Sequence, residues 1–344
     1  MAFKSTFFAP LSVILTVAAL FAEGVQAAGE VNLYSARKEA LIKPLLDRFT
    51  EQTGITVNLV TGGADALLKR LQSEGRNSPA DLLITTDAGR LYRAREAGVT
   101  QPVVTEALRQ AVPEAYREPD GHWYGLSLRA RPIFYAKARV SAEELSSYEG
   151  LADPKWAGRI CIRSSGNIYN QSLVASMIAH QGEAKSEQWA LGLVKNFARS
   201  PKGGDRDQIK AAAAGECDIA VANTYYYGGM ISGKDEAERQ AAEKVAVFWP
   251  NQSGRGTHVN VSGAALTAHA RNRDNAVKLM EFLVQPESQS WYAEVNYEYP
   301  VREGVAWSAL LQQWGRFKSD NLNLSELGKY NSQAVMIMDR AGWK

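Results

Sequence analysis

The sequence predicts an α/β fold of two lobes, each a sheet flanked by helices. Three observations lead there. Short apolar runs of strand length alternate with amphipathic stretches in βαβα order. The alternation resumes far down the chain, and no repeat, low-complexity tract or long flexible linker separates the two stretches. A βαβα order calls for a mostly parallel sheet with helices on both faces. Two such lobes joined by short crossovers leave a cleft at the carboxyl ends of their strands, where ligands bind in open sheets.

Residues 31–34 read as the first strand. Ser35 can cap a helix that presents Leu41, Leu45, Leu46 and Phe49 on one face and stops near Gly54. Residues 55–60 are the next strand, and Gly62-Gly63 opens a helix carrying Leu67, Leu68 and Leu71. Residues 80–84 read as a buried strand, followed by a helix around 91–97. In the second stretch, residues 159–163 form a strand leading to a helix over 168–181, stopped by Gly182. Residues 217–222 form another, leading to a helix that starts at Thr224.

Residues 1–27 read as a secretory signal peptide. Lys4 gives a positive start, an apolar run follows from Phe7 to Phe21, and Val25-Gln26-Ala27 is a small-x-Ala cleavage site. A single membrane anchor is the alternative, but Glu23 follows the run and no stop-transfer pattern appears. A soluble mature protein in the periplasm is expected. The chain beyond Ala27 is long enough for two domains of about 150 residues each. Hydrophobic residues make up 45% and charged residues 22%, with a net charge of +2, so the chain is globular and close to neutral. Without a basic block, nucleic acid is excluded as the main partner. The two cysteines, Cys161 and Cys217, can form a disulfide in an oxidising compartment. No CxxC or HExxH spacing occurs, and His122, His180, His258 and His269 are scattered, which argues against thiolate or clustered imidazole ligation.

The tyrosines carry the chemistry. Tyr34 ends the first strand, Tyr169 follows the N-cap residue Asn167, and Tyr225 and Tyr226 follow Asn223-Thr224. All four phenols stand at strand-to-helix junctions, where free N–H groups and the helix dipole favour negative charge. Cys161 precedes Tyr169 by the same eight residues by which Cys217 precedes Tyr225. If their strands are parallel neighbours in register, the cysteines lie side by side and the tyrosines emerge together. The competing reading is structural: most tyrosines pack a core edge with the hydroxyl bonded, and paired cysteines serve as a staple. Residue chemistry alone reaches an anion- or metal-binding cleft.

The words around these tyrosines identify more. RSSGNIYNQSL from Arg163 to Leu173, and Asn223-Thr224-Tyr225-Tyr226, resemble the iron(III) ABC-transporter binding proteins, the periplasmic ferric-binding-protein or bacterial transferrin family. Supporting matches are LYSAR from Leu33, LSLRAR from Leu126, HVNVSG from His258 and EYPV from Glu298, which together span nearly the whole mature chain. The resemblance implies a type II periplasmic-binding-protein fold, with lobe 1 formed by 28–128 and 255–304 and lobe 2 by 129–254 and 305–344. It implies ferric iron bound by Tyr225, Tyr226 and Tyr169, with Tyr34 as a fourth ligand. Arg129 would stand beside the site to balance phenolate charge or hold a carbonate, and carbonate or water would complete the coordination. Tyr227 is not a ligand on this mapping. Another branch of the family uses a histidine after the first strand and a glutamate after the third. Here those neighbourhoods read Arg37-Lys38 and Thr85-Thr86-Asp87, which places the chain with the tyrosine-rich type. The expected partner is an inner-membrane ABC permease, and the expected state a monomer.

Two other functions compete with this one. A carrier of a small organic or phosphonate anion would use Arg129, Arg131 and the helix N-termini, with the tyrosines as hydrogen-bond donors. A hydrolase is disfavoured: there is no GxSxG elbow, no supported carboxylate pair and no histidine near a nucleophile motif.

Overall fold

The structure, a computed structural model, describes residues 1–2 and 29–344; the expected signal segment, residues 1–27, lies outside the described residues from its third residue on. In chain order, β1 (Glu30–Ser35), α1 (Lys43–Thr53), β2 (Thr56–Thr61), α2 (Ala64–Glu74), β3 (Leu82–Thr86), α3 (Ala88–Glu96), α4 (Glu106–Ala111) and β4 (Tyr124–Ala130) begin the first lobe. The chain crosses to the second lobe through β5 (Ile133–Ala136), β6 (Ile160–Cys161), α5 (Ile168–Gln181), α6 (Glu183–Lys195), α7 (Asp205–Ala214), β7 (Ile219–Val221), α8 (Thr224–Ser232), α9 (Glu236–Glu243) and β8 (Val245–Phe248). It returns as β9 (Val259–Leu266), α10 (Arg273–Leu283) and α11 (Pro286–Val295), and ends with α12 (Ala309–Gln313), α13 (Ser325–Lys329) and α14 (Asn331–Arg340). No described helix is long and apolar enough to cross a membrane.

The expectation of mostly parallel sheets holds, with one reversed strand in each. The five-stranded sheet runs β2-β1-β3-β9-β4, and β9 is antiparallel to both neighbours. The four-stranded sheet runs β6-β7-β5-β8, with β5 antiparallel to β7 and β8. The crossovers cause this: β5 and β9 are the strands on which the chain enters a lobe from the other one. β9 therefore runs against the strands its lobe had already built, and β5 against those its lobe builds after it.

Local signals explain most elements. α1 has Pro44 in its first turn and ends on Gly54 at φ 71°. It buries Leu45, Leu46 and Phe49 against the first lobe's core, each gaining about 1.5–3 kcal/mol from burial. Ser35 does not cap it. That residue ends β1, and the helix starts only at Lys43 after a short 3₁₀ turn. α5 begins at its N-cap Asn167, whose side chain accepts from the Tyr169 N–H, and stops at Gly182 as expected.

Each lobe has its own core. Leu33, Leu82, Ile84, Val261 and Ala265 centre the first, and Ile133, Ile160, Leu173, Ile219 and Val221 the second. The final segment is divided between them. Leu311, Leu324 and Leu327 pack in the first core, while Ala334, Ile337, Met338 and Trp343 pack in the second. The passage between lobes thus lies inside 305–344 and not at its start, because α13 packs on both α3 and α5.

Candidate metal centre

β6 and β7 are parallel neighbours at the edge of the second sheet, and each leads into a helix that carries a tyrosine. Cys161 and Cys217 form a disulfide with Cα atoms 5.9 Å apart. They are not register partners, since Cys161 pairs with Ala220 and Cys217 lies before β7 begins. The parallel pairing sets the N-termini of α5 and α8 side by side. There the Tyr225 hydroxyl donates to the Tyr169 hydroxyl at 3.2 Å, and the Tyr225 and Tyr226 rings lie 4.3 Å apart. These three half-buried phenols line a cavity of about 300 Å³, joined by Arg129 from β4, Lys38 after β1 and Tyr297 after α11.

Tyr34 is not among them, which corrects the expected fourth ligand. Its side chain leaves the opposite face of β1 and packs among Leu67, Leu71 and Leu83 beneath α2. Its hydroxyl donates to the Glu74 carboxylate at 2.9 Å. Burial and the Glu74 charge both push that phenol up from its ordinary value. Tyr227 also points inward, stacking near Phe134 and Trp314 with its hydroxyl on the carbonyls of Ala242 and Val245. Burial pushes it up to about 12.

A buried ion pair fixes the two tyrosine helices to each other. Arg131 lies on the first crossover, just past β4. Its guanidinium donates to Asp205 and to the Asn223 side chain, both at 3.0 Å, and to the Asn170 side chain at 2.6 Å. Asn223 is the N-cap residue of α8 and Asn170 sits in the first turn of α5. Asp205 in turn accepts from the Asn223 N–H at 2.7 Å and from Arg163 at 3.3 Å. One charge pair thus grips the starts of both helices.

The cations bias the site toward negative charge. Arg129 stands 5.7 Å from the Tyr225 ring centre, and Arg131 and Arg163 stand 6.0 and 5.9 Å from that of Tyr169. Burial raises Tyr225 well above the ordinary phenol value, and its two phenol neighbours add to this while Arg129 works against it. Tyr226 is raised by burial and by Tyr169, with Arg163 opposing. Arg129 itself is buried, bonded to Ser262 and 3.9 Å from Glu298, and its Nε and Nη1 have no acceptor among the described residues. Burial works against its charge, but Glu298 and the phenols outweigh that and hold it above its ordinary value. Such a guanidinium suits phenolates or an added anion.

Several of these residues escaped the sequence reading. Arg37 pairs with Glu298 at 3.0 Å, and Ser127 donates to the same carboxylate at 2.6 Å. Burial opposes the Glu298 charge, yet Arg37 and Arg129 hold it below the ordinary carboxylate range. The EYPV motif at Glu298 was the available signal, though it carried no role. Asp87 is committed elsewhere: it accepts from Ser172 of α5 at 2.8 Å and from Asn260 of β9 at 2.9 Å. Among the described residues no group of three His, Cys, Asp or Glu side chains can hold a metal. The donors available here are phenol oxygens, hard ligands that match a hard cation.

Comparison with known proteins agrees with this chemistry. Residues 45–319 match the family of bacterial extracellular solute-binding proteins. The chain is 53% identical to iron uptake protein A1 of Synechocystis over 92% of its own length and 88% of that protein's. The solved Trichodesmium FutA, in complex with iron and citrate ligands, superposes with a TM-score of 0.90 at 49% identity, covering 92% of this chain and all of that one. The ferric iron-binding protein A of Mannheimia haemolytica, in an open conformation, gives 0.86 at 41% identity over 92% and 99%. The chain belongs to the bacterial extracellular solute-binding proteins, in the branch of the ferric-iron-binding and iron uptake proteins.

Proposed function

We propose that this protein captures ferric iron in the interlobe cleft through the phenolates of Tyr169, Tyr225 and Tyr226, and delivers it to an inner-membrane ABC permease. The observation that carries the reading is the convergence of three phenols at two helix N-termini beside the buried Arg129. A trivalent cation deprotonates phenols that are neutral without it, because coordination favours the charged ligand. The N-terminal dipoles and the arginines then stabilise the phenolates. The Nε and Nη1 of Arg129, without an acceptor among the described residues, support an anionic co-ligand, carbonate or a carboxylate, in the remaining positions. Export by the segment 1–27 and action as a periplasmic monomer belong to the same proposal, as do lobe 1 as residues 28–128 and 255–304 and lobe 2 as residues 129–254 with the part of 305–344 that packs on it.

The test is a visible spectrum with metal analysis of protein exposed to ferric iron, repeated after reduction. Phenolate-to-iron charge transfer turns the loaded protein orange to red, with one iron per chain, and reduction bleaches it. A colourless protein without iron overturns the reading and favours the anion carrier.

A further inference from the structure

α8 carries Gly228-Gly229 in its interior, where each glycine costs about 1 kcal/mol relative to alanine. Neither has a positive φ, so the backbone does not demand glycine there. The reason at Gly228 lies across the cleft. A Cβ at that position would stand 2.7 Å from both Cβ and Cγ of Tyr297 and 3.0 Å from its Cδ2.

Tyr297 belongs to the first lobe. It follows α11 and its C-cap Asn296, and holds φ 55°, a left-handed conformation that costs a non-glycine residue about 1–2 kcal/mol. The turn is tied on both sides. Asn296 donates to the Leu41 carbonyl at 3.1 Å, and Glu298 is held by Arg37 and Ser127. A strained, anchored ring of lobe 1 therefore rests on a bare patch of lobe 2, one helical turn beyond Tyr225, and Tyr297 itself lines the cavity of the three phenols.

We propose that Tyr297 is the closing residue of lobe 1: its ring seats on Gly228 when the lobes shut over the metal, and this contact sets how long the metal is kept. The inference rests on the ferric-iron reading above. The atoms nearest Gly228 are the root of the side chain, which cannot swing aside as a flexible tip would. A methyl group at 228 is accommodated by separating the lobes. The shut fraction falls, and release rises with the open fraction.

The experiment loads wild type, Gly228→Ala, Tyr297→Ala and the double variant with ferric iron, then follows the loss of visible absorption into excess EDTA. Gly228→Ala is expected to keep the band position and one iron per chain, yet to release about tenfold faster. Its iron-free melting temperature is expected to stay level or rise, because alanine is the better helix former and the open lobes relieve the clash. A purely structural glycine would instead lower that temperature. Tyr297→Ala also releases faster, and the double variant no faster than Tyr297→Ala alone, since the clash has gone. Wild-type release from Gly228→Ala, or additive effects in the double variant, overturns the inference. If Gly228→Ala does not fold, Tyr297→Ala decides: release at the wild-type rate overturns the inference. A wild type that takes up no iron overturns both readings, an outcome distinct from any of these.

Discussion

A phenol in water holds its proton to about pH 10, and burial raises Tyr225 and Tyr226 further. Without metal these two phenols are therefore neutral, and each phenol lost removes one anionic donor. Tyr226→Phe is expected to weaken iron retention at least about a hundredfold and to dim the visible band, measured by competition with a chelator. Tyr227→Phe and Tyr34→Phe are expected to keep iron and colour, each losing about 1 kcal/mol of stability with its hydrogen bond. The difference between Tyr34 and the others was not legible in the sequence. β1 is buried on both faces near its end, so polar alternation could not say which way Tyr34 points. His258 offers a separate test. Burial, with Arg131 and Arg255 nearby, lowers it to about 3, so between there and its ordinary 6.5 the unfolded chain binds the extra proton. Stability rises with pH across that window and is lost as pH falls through it. In His258→Gln, the acid side of the melting-temperature profile is expected to flatten between about pH 6 and pH 4.

Among the elements, α5 and α8 are the pair that matters, and their starts were readable because Asn167 and Asn223 are strong N-cap residues. Their mutual placement was not readable. It depends on Arg131, distant from both in sequence, reaching Asn170 and Asn223 together. Arg131→Met is expected to leave Asp205 buried with only Arg163 as a charged partner, a loss of about 3 kcal/mol. It should also shift the iron band, as the phenols lose their common support. Thermal melts and visible spectra of the loaded variant check both effects; an unchanged band would detach the ion pair from the site. The α1 start was misjudged for a related reason. Ser35 has the right chemistry for a cap, but its hydroxyl accepts from the Arg37 N–H in a tight turn that turns the chain toward the cleft.

At the scale of the molecule, the two lobes and their cleft were legible from the broken βαβα alternation, and the family words placed the tyrosines within it. The antiparallel strands β5 and β9 were not, because a strand's direction depends on where the chain re-enters a sheet. Tyr297 was hidden for the same kind of reason, since its role needs a lobe 1 turn set against a lobe 2 helix. Proton competition acts on the whole protein. With Tyr225 and Tyr226 raised above the usual phenol range, protons compete with iron at every pH below about 10, so retention is expected to climb from pH 5 to pH 8. Equilibration against citrate across that range should give about three protons released per ferric ion taken up. A flat profile would remove the phenolates from the coordination.

The insertion of β9 between β3 and β4 bears on how the chain assembles. Both inner edges of the first sheet wait for a strand that follows them by well over a hundred residues in sequence, while β5 to β8 arrive as one uninterrupted stretch. Long loop closures slow folding. The lobe that bears the phenols can complete its sheet first, and the one that covers them is finished last, so a refolding chain holds its binding face before it owns a lid.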